Sequence, residues 1–372
     1  MRFVINRENL IKPLQLVAGI VERRQTLIVL SNVLLSVHKD VLLLTGTDLE
    51  VELIGKVALQ NVEEEGATTV SARKLMDICK ALPEQSEILI YKEENKLIIV
   101  SGPSRFCLAV LSAEKYPNIE EKEGNSSFVI DQASLRYLIE RTGFAMAQQD
   151  VRYYLNGVLL EIGNEQLRVV ATDGHRMAMC TLHLDLGMSD DEKGYDQFIV
   201  PRKGILGLAR LIAQGGDEKI SISLGSNHMR GQTSDFVFTT KLVDGKFPDY
   251  ERVILKNGDK KVVLDREVVK QALQRVSILS NEKCKGVQLR LDKDRLKITA
   301  NNPEQELAEE ELDVDYGGKP LNIGFNVHYI LHVLSVLNCE KVIMVLSGPN
   351  DAVLIKEPDS ENSLYVIMPM RL

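Results

Sequence analysis

The sequence lacks the features that mark secreted, membrane-bound and catalytic proteins. No apolar run approaches the roughly 18 residues that a membrane span needs. The opening MRFVINRENL has no apolar h-region, so no secretory signal is expected. Cysteine is sparse: Cys79, Cys107, Cys180, Cys284 and Cys339 form no CxxC pair. An odd number of thiols at such spacings fits neither a disulfide framework nor a zinc site. Buried thiols in a reducing cytoplasm are expected, with no metal. Also missing are GxSxG, HExxH and H-x-E…PCxxC, together with Walker A and GxGxxG. Gly317-Gly318-Lys319-Pro320 does not complete a P-loop. One string, VATDGHRMA, places Asp173 and His175 as if in a catalytic dyad. Asp-Gly favours a turn, and no nucleophile motif accompanies it. The expectation is a cytoplasmic protein that is not an enzyme and needs no cofactor.

What is present is a long, soluble mixture. The 372 residues suit two or three domains, with 44% hydrophobic and 26% charged residues. The net charge of −8 argues against a DNA binder if charge is spread evenly. It does not if the basic residues gather on one surface.

The chain repeats itself three times. INRENLIKPLQLVAG, IDQASLRYLIERTG and LDREVVKQALQRVS each begin a copy, and Val33, Val158 and Val287 hold corresponding places. A second half-unit follows each, at TTVSARKLMDICKAL, FIVPRKGILGLARLI and LNIGFNVHYILHVLSVL. The first two copies close alike, on AEKYPN and DGKFPD. Stripes such as Leu10, Leu14, Val17 and Val269, Ala272, Leu273, Val276 have helical spacing. Asn6, Ser71, Asp131, Asp265 and Asn326 are the expected N-caps, and Pro13 falls inside the first helix. Strings such as VLLSV and KLIIV, with polar turns between them, read as antiparallel hairpins. The fold class is therefore α+β: three repeated domains, each with helices over antiparallel sheets. Acidic and polar stretches near 119–128 and 251–261 divide them into 1–125, 126–255 and 256–372.

At this level of detail the sequence resembles bacterial DNA polymerase III beta subunits over its whole length. The matching strings are LTGTDLE, ATTVSARK, AMAQQDVRYYLNG, VATDGHRMA, VPRKG, KLVDGKFPDY, ILSNEK, ITANNPEQE, IGFNV and MPMRL. The resemblance implies a DNA-clamp fold closing into a head-to-tail dimeric ring, a sliding clamp that tethers polymerases without chemistry. About twelve helices of roughly 10 Å diameter would then line a hole on the order of 30 Å across. Basic residues favour the predicted helices and their turns, among them Lys12, Arg73, Lys80, Arg136, Arg141, Arg210, Arg266, Lys270 and Arg275. Acidity concentrates at Glu63–Glu65, Asp190–Glu192 and Glu309–Glu311. Phosphate contact without base readout is what a moving tether requires.

The resemblance also assigns residues. Arg24, Gln149, Tyr153 and Tyr154 are expected on sequence-independent double-stranded DNA, with Arg73, Arg202 and Lys203 as further contacts. A cleft for short peptides of partners is expected from Arg152, Leu155, Thr172, Gly174, His175, Arg176 and Met177. Pro248, Arg252, Val253, Asn326 and Tyr329 join it, as do Val366, Ile367, Met368, Pro369, Met370 and Arg371. Flexible methionines suit a cleft with several ligands, and burying one Leu or Phe contributes roughly 1.5–3 kcal/mol. The dimer seam is expected from Phe106 and Leu108 opposite Ile278 and Leu279, with Lys74 and Arg105 facing Glu304, Glu306, Glu309 and Glu310. Expected partners are a second copy, the replicative polymerase, an ATP-driven clamp loader, and other polymerases, mismatch-repair proteins or ligase. The alternative is a protein-interaction scaffold that does not bind DNA.

Overall fold

A computed structural model describes residues 1–21, 27–119, 126–186, 195–213, 218–254, 258–358 and 360–371. Six α-helices lie among them: α1 (Arg7–Ile20), α2 (Ala72–Ala81), α3 (Gln132–Thr142), α4 (Arg202–Ile212), α5 (Arg266–Val276) and α6 (Val327–Val336). Several start where the sequence places a cap. The side chain of Asn6 accepts from Glu8 N at 3.0 Å, Asp265 from Val268 N at 3.0 Å, and Asn326 from His328 N at 3.0 Å. Each cap satisfies a donor that the helix cannot. Leu10, Leu14 and Val17 are the buried face of α1; Val269, Ala272, Leu273 and Val276 are that of α5. Pro13 lies inside α1 as expected.

The repeat is visible in strand register. Val33 pairs with Val70, Val158 with Val200, and Val287 with Phe325. In each copy, then, the strand after the first helix lies beside the strand that leads into the second. The chain is a three-domain α+β protein, and all its strand ladders among the described residues are antiparallel.

Sheets do not stop at repeat boundaries. Val51–Ala58 of the first copy pairs with Phe236–Lys241 of the second. Arg176–His183 of the second pairs with Ser363–Ile367 of the third. The chain consequently divides into two compact units that cut across the second copy. One is Met1–Ala133 with Leu206–Leu242, around a 13-stranded sheet. The other is Ser134–Ile205 with Val243–Leu372, with sheets of eight and four strands. Several strands among the described residues have an open edge, and Leu307–Asp313 and Ser104–Leu111 are two of them. Leu307–Asp313 has a partner on one side only. Ser104–Leu111 is paired along Lys96–Ser101, but on its other side only at Val110 and Leu111.

The cysteines depart in part from expectation. Cys79 and Cys180 are buried, and burial pushes the Cys79 thiol up to about 12, which makes it inert. Cys107 is exposed, because it lies on the outward side of an edge strand.

Gly157 shows how closely the second unit is packed. A Cβ there would lie 2.3 Å from the carbonyl oxygen of Val200 on the neighbouring strand. The nearest atoms are all backbone of Val200 and Pro201, which leaves little room to yield. Gly157→Ala is expected to destabilise the protein by about 1–3 kcal/mol, read as a lower midpoint in urea; an unchanged midpoint would contradict this packing.

Candidate functional site

The site is built on a turn. Thr172-Asp173-Gly174-His175-Arg176 reverses the chain between strands Gln166–Thr172 and Arg176–His183. Asp173 Oδ1 accepts from His175 N at 2.9 Å and Arg176 N at 3.0 Å, and its Oδ2 accepts from Arg176 Nε at 3.0 Å. Thr172 Oγ1 accepts from Gly174 N and donates to Arg176 O. Gly174 adopts φ +87°, which glycine takes without strain. Both oxygens of Asp173 are engaged in the turn, as the sequence reading of DGH expected.

Pairing across three strands sets the floor. Met177 lies opposite Thr172 on one side and Val366 on the other. Opposed residues share a face, so these three side chains form one row. Leu155, Tyr250 and Val253 rise around the row, with Tyr154, Pro248, Asp249, Arg152, Gly174, Arg176 and Met368 completing a cleft of about 650 Å³. Below it Met177, Val366, Leu155 and Tyr250 merge with core residues Leu159, Val170, Ile199 and Leu354. Met368 and Val253, at 42% and 43% exposure, are accessible apolar side chains of the cleft, and the Met368 N–H donates to His175 O at 2.9 Å.

Two arginines frame the cleft differently. Arg176 is largely covered. It donates to Phe144 O and His332 Nδ1, both at 2.6 Å, and lies over the Tyr329 ring. Arg152 is nearly half exposed and is held by Asp150 through Nε at 3.0 Å and Nη2 at 2.9 Å. Hydrogen bonds from Arg152 hold the Asp150 carboxyl down at about 2. A depressed folded value means that the pair persists above the ordinary carboxylate range and is lost only as pH falls through about 2.

Tyr250 is anchored from behind. Its hydroxyl donates to Glu161 Oε2 at 2.6 Å and accepts from Arg168 Nη1 at 3.0 Å. Gln197 Nε2 also donates to Glu161, at 2.7 Å, so the buried carboxylate is well partnered. Burial, then the hydrogen bond to Glu161, pushes the Tyr250 hydroxyl far above its ordinary value. Sequence reasoning missed Tyr250 and Asp249 as lining, although both stand in GKFPDYERV, and it had placed Tyr154 on DNA.

Ten of the expected cleft residues line it: Arg152, Leu155, Thr172, Gly174, Arg176, Met177, Pro248, Val253, Val366 and Met368. The other eight are outside this lining, several of them next to it. Ile367 is fully buried on the opposite face of its strand, next to Val366. Asn326 caps α6, Tyr329 stacks on Arg176, and Arg252 extends into solvent beside Asp249 at 2.6 Å. Met370 N donates to Gly324 O at 2.9 Å. His175, Pro369 and Arg371 are not part of the lining.

Of the residues expected on DNA, Arg24 lies outside the described residues. Gln149 is exposed at φ +56°, and Tyr153 is 58% exposed. Arg73 is solvated, 3.7 Å from Asp77, while Arg202 and Lys203 are half-buried at the start of α4. Three other helix cations are committed internally. Arg141 is buried against Glu357, Arg266 donates to the carbonyls of Cys339 and Leu334, and Arg275 holds Glu310. At the expected seam, Ile278 is 76% exposed, Leu279, Phe106 and Leu108 are half-buried, and Lys74 and Arg105 are solvated. Glu306 and Glu304 are exposed, Glu309 already meets Lys297 at 2.8 Å, and Glu310 meets Arg275.

Tyr250→Phe removes a hydroxyl on which Glu161 and Arg168 both depend. It should destabilise the protein by about 1–3 kcal/mol while leaving the ring in the cleft wall. Thermal unfolding checks the loss, and an unchanged melting temperature would show that the network contributes nothing.

Comparison with known proteins gives a consistent result. The family described as DNA polymerase III beta subunit matches in three parts: its N-terminal domain over residues 1–120, its central domain over 129–249 and its C-terminal domain over 251–371. The chain is 57% identical to the beta sliding clamp of Pseudomonas aeruginosa and 49% identical to that of Escherichia coli, each over the full length of both chains. A crystal structure of the Pseudomonas aeruginosa clamp bound to griselimycin superposes with a TM-score of 0.96 at 57% identity, covering both chains completely.

Proposed function

The chain belongs to the DNA polymerase III beta subunit family, and on that footing we propose that it is a sliding clamp. It encircles duplex DNA without reading sequence, does no chemistry itself, and tethers polymerases during replication. The tether is the cleft around Met177, and the observation that carries it is an apolar row on a rigid sheet with an exposed methionine at its rim. Such a cleft accepts short apolar peptide motifs and exchanges them. Partners are the replicative polymerase, an ATP-driven loader, and other polymerases, mismatch-repair proteins or ligase that carry such a motif. The protein works in the cytoplasm, and its domains run 1–125, 126–255 and 256–372. Exposed Gln149, Tyr153 and Arg73, with Arg24, Arg202 and Lys203, are the proposed phosphate contacts.

The ring is proposed to close by pairing the open edges of Leu307–Asp313 and Ser104–Leu111 from different copies, since unpaired strand edges attract partners. The two sheet junctions within the chain suggest the register. In them Leu53 faces Phe238 and Ala178 faces Tyr365. Across its own hairpin, Leu53 pairs with Gly46, Ala178 with Ala171, and Ala308 with Ala300. Ala308 therefore corresponds to Leu53 and Ala178, and Phe106 is the matching aromatic. Ala308 would then lie opposite the partner subunit's Phe106, which sets Leu307 against Cys107 and Glu309 against Arg105. Apolar contacts dominate such a seam, because exposed ion pairs contribute about 0–1 kcal/mol each.

Two experiments test this reading. Loaded on closed circular DNA, the protein should remain bound through gel filtration and be lost when the circle is cut; equal retention on linear DNA would reject the clamp. Leu307→Cys should form an intersubunit disulfide with native Cys107 under mild oxidation, visible as a dimer on non-reducing gels. Removing Cys107 should abolish it, and a monomer throughout would reject the register.

A further inference from the structure

The frame of the cleft occurs a second time, in the first unit. Thr47-Asp48-Leu49-Glu50-Val51 makes the same turn as residues 172–176. Asp48 Oδ1 accepts from Glu50 N and Val51 N, both at 2.9 Å. Thr47 Oγ1 accepts from Leu49 N at 3.1 Å and donates to Val51 O at 2.9 Å. Leu49 has φ +78°, beside +87° at Gly174. Lys241 N donates to Glu50 O at 2.9 Å, as Met368 N does to His175 O. Glu52 lies opposite Thr239 as Met177 lies opposite Val366. Pro117-Asn118-Ile119 stands where Pro248-Asp249-Tyr250 stands in the second unit.

The space is there too. A cavity of about 730 Å³ includes Thr47, Leu49, Pro117 and Lys241 in its lining. It shares Ile119, Asn227 and His228 with a neighbouring cavity of about 480 Å³, where Glu52 and Thr239 lie. The side chains are what differ. Leu49 replaces Gly174, Glu52 replaces Met177, Thr239 replaces Val366 and Lys241 replaces Met368. Glu52 is only 5% exposed, and its Oε2 accepts from Ile119 N at 3.3 Å. Glu52 puts a carboxylate where the open cleft has a thioether, so an apolar side chain seated here would pack against a polar group that it cannot hydrogen-bond.

We propose that residues 49, 52, 239 and 241 determine selectivity. They close the first unit's cleft to apolar peptides and confine each chain to one such peptide. Glu52 is the principal excluding group, because it occupies the floor position that Met177 holds in the open cleft. Lys241 replaces the apolar rim with a cation, and Thr239 adds a hydroxyl beside the carboxylate. The inference rests on the cleft around Met177 being the peptide site, so the test must separate the two claims.

The test is calorimetric titration of the full chain with a synthetic peptide carrying Leu and Phe anchors. The unmodified protein should bind one peptide per chain. The variant Glu52→Met/Thr239→Val/Lys241→Met should bind two, with the original affinity retained at the first. One peptide per chain in the folded triple variant overturns the proposal, as do two per chain in the unmodified protein. Binding to neither form overturns the reading of the Met177 cleft itself, and the inference with it. Should the triple variant not fold, the reciprocal change decides. Met177→Glu should weaken binding at least a hundredfold while Met177→Leu stays within threefold; a Met177→Glu variant that binds within threefold of the unmodified protein overturns the proposal.

Discussion

Everything in this chain depends on backbone pairing at the ends of sheets. Each repeat finishes a hairpin with an outer strand whose N–H and C=O groups need partners. Val51–Ala58 finds one in Phe236–Lys241, and Arg176–His183 finds one in Ser363–Ile367. The third hairpin, ending at Leu307–Asp313, finds none among the described residues. One requirement thus orders the repeats along the sequence, and at Leu307–Asp313 it is what the proposed pairing with a second copy would meet. The compact units follow sheets and not repeats, because hydrogen-bonded ladders tie residues together more closely than chain order does.

The cleft is a by-product of the same joint. Its floor exists because a strand from the third repeat lies against a strand from the second and continues the row of Thr172 and Met177 with Val366. The Asp173 turn fixes where the row begins. Arg176, tied to a carbonyl and to His332, holds the turn in place from the opposite face. The proposed peptide cleft and the joint between repeats therefore rest on the same hydrogen bonds, and a change that loosens one loosens the other.

Much of this was legible in the sequence, for identifiable reasons. Caps at Asn6, Asp265 and Asn326 are short-range chemistry, and the corresponding valines 33, 158 and 287 mark a register that copies share. Membership of the cleft was harder to read. Ser363–Ile367 is almost fully buried on both faces, so no polar alternation separates Val366, which faces the cleft, from Ile367, which does not. Arg141 has the composition of a solvated helix cation but finds Glu357, 216 positions away, and is buried. Tyr250 was hidden for a similar reason: its place in the wall depends on Glu161 and Arg168, which no local pattern connects to it.

The position of Ser363–Ile367 has a consequence for biogenesis. In chain order this strand follows every other part of the cleft floor. During synthesis from the N-terminal end, Met177 and its strand are complete while just over half the chain has yet to emerge. Until the late strand docks, the nascent protein offers an apolar edge but no binding groove. Competence of the proposed cleft to hold a peptide thus arrives late in the folding of each subunit.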